Sequence, residues 1–321
     1  MTALLPPEVQ SVFDRFVTTE FTTIDAKGQP ITWPLTPFYK PGDPCIDVTT
    51  GLGYPKKAND ARANPKVSLL FSAPKGSGLE KPPMVLVQGI ADVDDRDLDA
   101  NRRRYAVESV EKLPATAKLH PPDFVKRFLQ WYYTRIYLHV RPERIYVWAG
   151  CDASREPQLL DSHMEEVRSG HDEEPDDPTH AQPSEEPAVW DARMDELGKR
   201  HETAVFTLVA PDGFPFSFRA PVEVDRSNRL IRIATDALGI PVAPGLACVT
   251  AHEHNDEFTW QRNFQVRGDL IEVDGGWAVR PSRMVGGFEI PPGNTFQRMK
   301  PQLRKARQYQ RTAKRELARR A

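Results

Sequence analysis

The feature that most constrains this chain is that its first half starts again in its second half. "DAKGQPITW" (Asp25–Trp33) is echoed by "VAPDGFPFSF" (Val209–Phe218), which sets Gly28 against Gly213 and Pro30 against Pro215. "CIDVTT" (Cys45–Thr50) is echoed by "LIRIAT" (Leu230–Thr235), and "MVLVQGIADV" (Met84–Val93) by "NFQVRGDLIEV" (Asn263–Val273). "VRPERI" (Val140–Ile145) returns as "VRPSRM" (Val279–Met284). The echoes keep their order and fall on short apolar or alternating runs bounded by Gly and Pro, the mark of strands and turns. They predict a duplicated β-domain, at a period far too long for a solenoid. A length of 321 residues fits two domains. Thirty prolines with 39% hydrophobic residues favour short strands and many turns over a helical bundle.

The expected domains are 1–160, an acidic linker at 161–188, a second domain at 189–297, and a basic helix at 298–321. In the first, Pro7–Phe16 has helical apolar spacing and is expected as a short lid helix. Strands are expected at Phe21–Ile24, Ile31–Tyr39, Cys45–Thr50, Val67–Phe71 and Met84–Val93, with a helical turn at Asn59–Ala63. Arg96–Leu113 and Pro122–Tyr133 read as helices, and Arg135–Trp148 as a strand interrupted by a turn at 141–144. Trp131, Tyr132 and Tyr133 read as core packing between helix and barrel. The second copy has no counterpart of the helical stretch, so a barer barrel is expected there.

The linker "HMEEVRSGHDEEPDDPTHAQPSEEP" has almost no apolar residues and is expected to be disordered. His163, His171 and His180 within it read as a solvated spacer before a metal buffer. The tail from 298 carries many Lys and Arg on a thin apolar stripe. It reads as a solvated terminal helix, with nucleic-acid contact the less favoured alternative. The near-neutral formal charge of −2 gives no whole-chain argument for nucleic acid or membrane. No run of about 18 apolar residues exists, so no span is expected. Cys45, Cys151 and Cys248 are odd in number and lack any CxxC. That argues against a disulfide framework or zinc cage and suits a reducing compartment. With no signal-like N-terminus, the expectation is a cytoplasmic protein.

The segment richest in chemistry is "TTGLGYPKKANDARANPKVSLLFS" (Thr49–Ser72). It leaves a strand on the hydroxyls of Thr49 and Thr50, turns on Gly51 and Gly53, presents Lys56 and Lys57, and enters a helical turn carrying Arg62. Hydroxyl donors, backbone amides freed by a turn and clustered cations are what a phosphate dianion needs. By spacing alone, a phosphate site and a solvated turn both remain open. The copy at Ala234–Ala251 keeps the turn but has no lysine, and Asp236 would repel phosphate. His252 and His254 alternate with Glu253, so on a strand both imidazoles face one side. They read as a polar strand end near a groove, with substrate contact or a metal or haem edge as alternatives.

Three segments together resemble the pyridoxamine 5′-phosphate oxidase-like family of flavin-binding split barrels. Lys57 lies seven residues before Asn64-Pro65-Lys66-Val67, "DAKGQPITWPLTPFY" is similar to the family's first hairpin, and "RPERIYVWAG" to its closing strand. The resemblance covers roughly residues 15–155. It implies a mainly β (α+β) fold, with two split β-barrel domains in tandem and a few peripheral helices. It implies FMN as cofactor, held by Lys57 with Thr49 and Thr50, and Trp148 near the flavin ring. Arg155 falls one residue from a substrate-contacting arginine. Thr32 or Trp33 stands where the oxidase has a phosphate-binding arginine, which counts against the vitamin B6 oxidase activity. The lysine spacing is also similar to reductases using the deazaflavin coenzyme F420, with Asn59 and Arg62 where those add arginines. Barrels of this family pair around the cofactor. The tandem is therefore expected as an internal pseudo-dimer acting as an oxidoreductase on a small molecule. The alternative is a non-catalytic ligand- or haem-binding module; whether two chains pair further stays open.

Overall fold

The structure, a computed structural model, describes residues 5–119, 129–160, 188–235, 238–287, 289 and 295–320. The acidic linker, its three histidines, Asp236 and most of the helix expected at 122–133 lie outside them. Among the described residues no helix is long and apolar enough to cross a membrane.

The first half supplies β1 (Thr19–Ile24), β2 (Pro30–Leu35), β3 (Ile46–Gly51), β4 (Lys66–Phe71), β5 (Met84–Asp94), β6 (Arg135–Trp148) and β7 (Gln158–Leu160). The second supplies β8 (Thr203–Val209), β9 (Pro215–Asp225), β10 (Leu230–Ile233), β11 (Gly245–His254), β12 (Gln261–Val273) and β13 (Gly276–Gly286). The first sheet runs β2-β1-β4-β5-β6-β3, with β7 added beside β6; the second is a closed barrel, β9-β8-β11-β12-β13-β10. Position for position these are one order. Where β9 pairs β10 to close the second barrel, the first has a single bridge, Phe38 to Asp47. The chain is thus mainly β, two split barrels in tandem.

The repeat extends to irregularities. Both β5–β6 and β12–β13 carry a bulge, at Gln88/Gly89 and Arg267/Gly268, with Gly89 facing Pro142 and Gly268 facing Pro281. A bulge leaves a residue out of the ladder, so a proline with no N–H is tolerated there. For that reason β6 runs straight through 141–144, where a turn was expected. A Cβ on Gly89 would run into the Arg141 carbonyl, and one on Gly268 into that of Arg280. We expect Gly89→Ala and Gly268→Ala each to cost about 1–3 kcal/mol in urea denaturation through overpacking. Gly245→Ala, with open space around it, should lie within about 0.5 kcal/mol of the parent.

Helix α1 (Pro7–Arg15) is not a lid. Val9, Val12 and Phe13 are buried, and Phe13 packs on Phe71 at 5.0 Å, so the helix stoppers the first barrel's core. Helix α2 (Lys56–Ala63) follows β3, and α3 (Leu98–Lys112) with α4 (Gln130–Tyr133) falls between β5 and β6. The second copy joins the equivalent strands by the turn Asp274-Gly275 alone. Helix α5 (Thr295–Ala318) returns to the first half, where Ala313 is buried in a cluster with Leu52, Ala58, Trp131 and Ile136.

The barrels meet through side chains at matching register. Thr22 pairs Thr32 across β1–β2, and Thr207 pairs Ser217 across β8–β9. These four buried hydroxyls bond into a ring, with Thr32 to Thr207 at 2.8 Å and Thr22 to Ser217 at 3.3 Å crossing between barrels. Each bond nets only about 1 kcal/mol, but an orphaned buried hydroxyl costs more, so the ring fixes the mutual register. Beside it, buried Glu20 accepts from Ser72 at 2.9 Å, Arg219 at 3.0 Å and His252 Nε2 at 2.5 Å.

Candidate functional site

A groove of about 310 Å³ opens between the barrels. One wall is Ile31, Trp33, Pro34 and Leu35 from β2, with Thr49 from β3 and Lys56, Lys57 and Asp60 from α2. The facing wall is Phe258, Gln261, Asn263, Arg267 and Val285 of the second barrel. Tyr54, Tyr105, Tyr132 and Tyr309 enclose one end, with Arg135 among them.

The charge balance of this lining is one-sided. Asp60 is its only carboxylate among the described residues, and Lys56 takes it at 2.9 Å. Lys57 is half-buried, lies 5.5 Å from the Tyr54 ring centroid, and makes no hydrogen bond or ion pair with described residues. Burial lowers its ammonium to about 8, Arg135 adds to the shift, and Asp60 opposes it. Arg135 is 5% exposed and makes no ion pair with described residues either. Its guanidinium donates to Tyr54 Oη at 3.1 Å and Tyr105 Oη at 2.7 Å, and lies over the Tyr105 and Tyr132 rings at 4.1 and 4.2 Å. Its buried Nε has no partner. Burial disfavours the charge, but the surrounding phenol oxygens outweigh that and hold its pKa above the ordinary arginine value. Burial also pushes Tyr54 up to about 12, so that phenol stays neutral.

Two unneutralised cations in a partly dry site are costly unless an anion joins them. Helix α2 adds a start with no side-chain cap and no acid in its first turn, leaving amide donors and a positive dipole end on the same side.

The sequence candidates divide on this geometry. Thr49, Lys56 and Lys57 line the groove, although Lys56 is mostly exposed and held by Asp60. Thr50 does not line it; its hydroxyl donates to the Tyr54 carbonyl at 3.0 Å and ties down the turn. Arg62 points away, bonded to Asp95 at 2.9 Å. Arg155 is 74% exposed beside Asp152 at 3.2 Å. His252 and His254 do face one side, stacked at 6.5 Å, but both are buried at the barrel junction. His252 is engaged by Glu20, and His254 by Thr18 at 3.1 Å. Among the described residues no His, Cys, Asp or Glu group is arranged to hold a metal.

Trp148 is absent from the lining. It stands at the far end of β6 from Arg135, on the order of 40 Å away at the usual strand rise, and is 1% exposed against Phe216 at 5.9 Å. Counting from the bulge prolines, the position matching Trp148 in the second copy is Gly287, and a Cβ there would press on Trp33 of the open groove. Trp148 therefore occupies the repeat-related place on the other side, against Phe216 and within the buried cluster on which Leu238, Ile240 and Val242 also pack. That side is filled.

Sequence reasoning missed Arg135 and its tyrosine cage. Trp131 is core packing, as expected, in the cluster with Leu52, Ala58 and Ile136 and against Tyr309 at 5.3 Å, while Tyr132 also faces Arg135. Arginine opening an apolar strand was the available clue.

Fold and site define the class: a tandem split-barrel protein with one cation-lined groove between its halves. No protein-family model and no curated protein matches the chain. Among solved structures it is similar to general stress protein 26 of Bacillus anthracis, at 15% identity over 48% of this chain and 95% of that one, TM-score 0.31. It is also similar to a Clostridium acetobutylicum protein of the pyridoxinephosphate oxidase family related to general stress protein 26 (11%, 48% and 91%, TM-score 0.32). The haem storage protein HutZ of Vibrio cholerae is a third (16%, 45% and 95%, TM-score 0.33).

Proposed function

We propose that the groove binds a flavin nucleotide, FMN or the deazaflavin coenzyme F420, through its phosphate, and that the protein is an oxidoreductase acting on a small molecule. The observation that carries this reading is the pair Lys57 and Arg135, enclosed together with no ion pair to either among the described residues. A phosphate dianion beside the start of α2 supplies both missing charges. The apolar face of β2, with Trp33 and Leu35 opposite Phe258 and Val285, offers a slot for a flat ring. When bound, the flavin supplies the hydride chemistry, so the chain's part is to anchor, orient and keep water out. That division suits a lining whose one carboxylate is already paired.

The test is fluorescence titration of the purified protein with FMN, with riboflavin, which lacks the phosphate, and with coenzyme F420. FMN or the deazaflavin should bind at least about tenfold tighter than riboflavin, the worth of one charge-assisted contact. Equal affinity for FMN and riboflavin, with no deazaflavin binding, would refute the reading. A bound cofactor that no reductant can cycle would leave a binding module and remove the enzyme.

A further inference from the structure

The facing wall carries a third cation that phosphate anchoring does not use. Arg267 on β12 is half-buried, and its Nε donates to Gln265 Oε1 at 2.8 Å. Gln265 is itself anchored, its amide donating to the Thr32 carbonyl at 2.9 Å. The guanidinium is therefore aimed by a braced partner, while its two terminal nitrogens make no hydrogen bond with described residues. Asp25 and Asp60 act on it only from beyond ion-pair distance, and Arg283, its β13 neighbour, repels it. Burial adds to the cost of its charge.

The repeat shows that the fold does not need this cation. The matching position in the first barrel, one residue before the bulge glycine, is Gln88, which is buried and donates to the Pro215 carbonyl at 3.0 Å. The copy facing the filled side carries a neutral amide; the copy facing the open groove carries an arginine. The same groove carries Trp33, Phe258 and Val285, with the amide of Gln261, while the carboxylates of Asp25 and Asp60 reach Arg267 only at longer range. A single guanidinium whose two coplanar terminal nitrogens make no hydrogen bond with described residues suits a planar monoanion better than a phosphate dianion.

We propose that Arg267 receives the anionic group of the substrate, and that the substrate is a small carboxylate on an apolar or aromatic body. The inference rests on the cofactor reading for the groove's other occupant. It is tested by calorimetric titration of the full-length protein, with and without FMN, using benzoate and its neutral analogue benzamide as probes. Benzoate should bind at least tenfold tighter than benzamide. Arg267→Gln, which installs the first barrel's own residue, should erase that preference, and Arg267→Lys should keep part of it. No detectable benzoate binding, equal affinity for the two probes, or a preference that survives Arg267→Gln overturns the proposal. The two readings fail separately. If FMN does not bind but the benzoate preference follows Arg267, the cofactor assignment falls and the anion subsite stands. If FMN binds without any benzoate preference, only the subsite falls.

Discussion

Lys57→Ala is expected to weaken FMN binding roughly 10- to 150-fold, the usual worth of about 1.5–3 kcal/mol for a hydrogen bond to a charged group. Arg135→Gln should have an effect of similar size. Arg62→Ala should change affinity less than about twofold, because Arg62 is exposed and held by Asp95 outside the groove. The loss should also depend on pH. In the free protein the Lys57 ammonium titrates near about 8 rather than 10.5, through burial and the neighbouring Arg135 cation. Raising the pH through about 8 removes the charge that holds the phosphate, so affinity of the parent protein should fall on that limb. Without Lys57 the limb should disappear. For folding the sign is opposite: between about 8 and 10.5 the unfolded chain binds the extra proton, so stability at this group rises with pH. Fluorescence titrations from pH 6 to pH 10 on the parent and Lys57→Ala read the binding limb, and urea denaturation over the same range reads the folding one. A parent affinity that stays flat across this range would contradict the role given to the ammonium.

The second large effect is on stability. Glu20 is fully buried and serves Arg219, His252 and Ser72 at once. Burial works to raise its carboxyl, but His252, Arg219 and Ser72 outweigh it and hold it below the ordinary glutamate value. Glu20→Gln keeps the shape and removes the charge, leaving the Arg219 cation without its counter-ion at the barrel junction. Removing one member of a buried pair costs about 3–5 kcal/mol. Urea denaturation near pH 7 should show a loss of that size; a change below about 1 kcal/mol would mean the junction does not depend on this charge. With a depressed folded pKa, the contribution is complete above the unfolded value of 4.5 and is lost as pH falls through the lower folded value. The variant should lack that acid limb.

Architecture was legible in the sequence because strands and turns are local. The Gly28 and Gly213 turns both take positive φ, +77° and +79°, as the paired echoes required. Lys57 was legible too, since its neighbours in sequence build the turn that presents it. Arg135 was not, because the two phenols its guanidinium donates to, Tyr54 and Tyr105, lie far from it along the chain. The partner of His252 was not legible for the same reason: Glu20, which engages it, lies at the other end of the sequence. Trp148 shows a different limit. Its local pattern suited either side of the tandem, and only its burial against Phe216 shows which side it fills. The bulges at Gly89 and Gly268 left a trace in the Gly and Pro echoes, which were read as strand and turn.

Carrying both barrels on one polypeptide frees the two halves to drift apart. In an assembly of identical subunits, any residue gained at one cleft is gained at its mate, so Trp148 could not stop up one without stopping the other. Here Gln88 and Arg267 have become unlike, and so have Trp148 and Gly287. Saturation should therefore come at a single equivalent of ligand per chain.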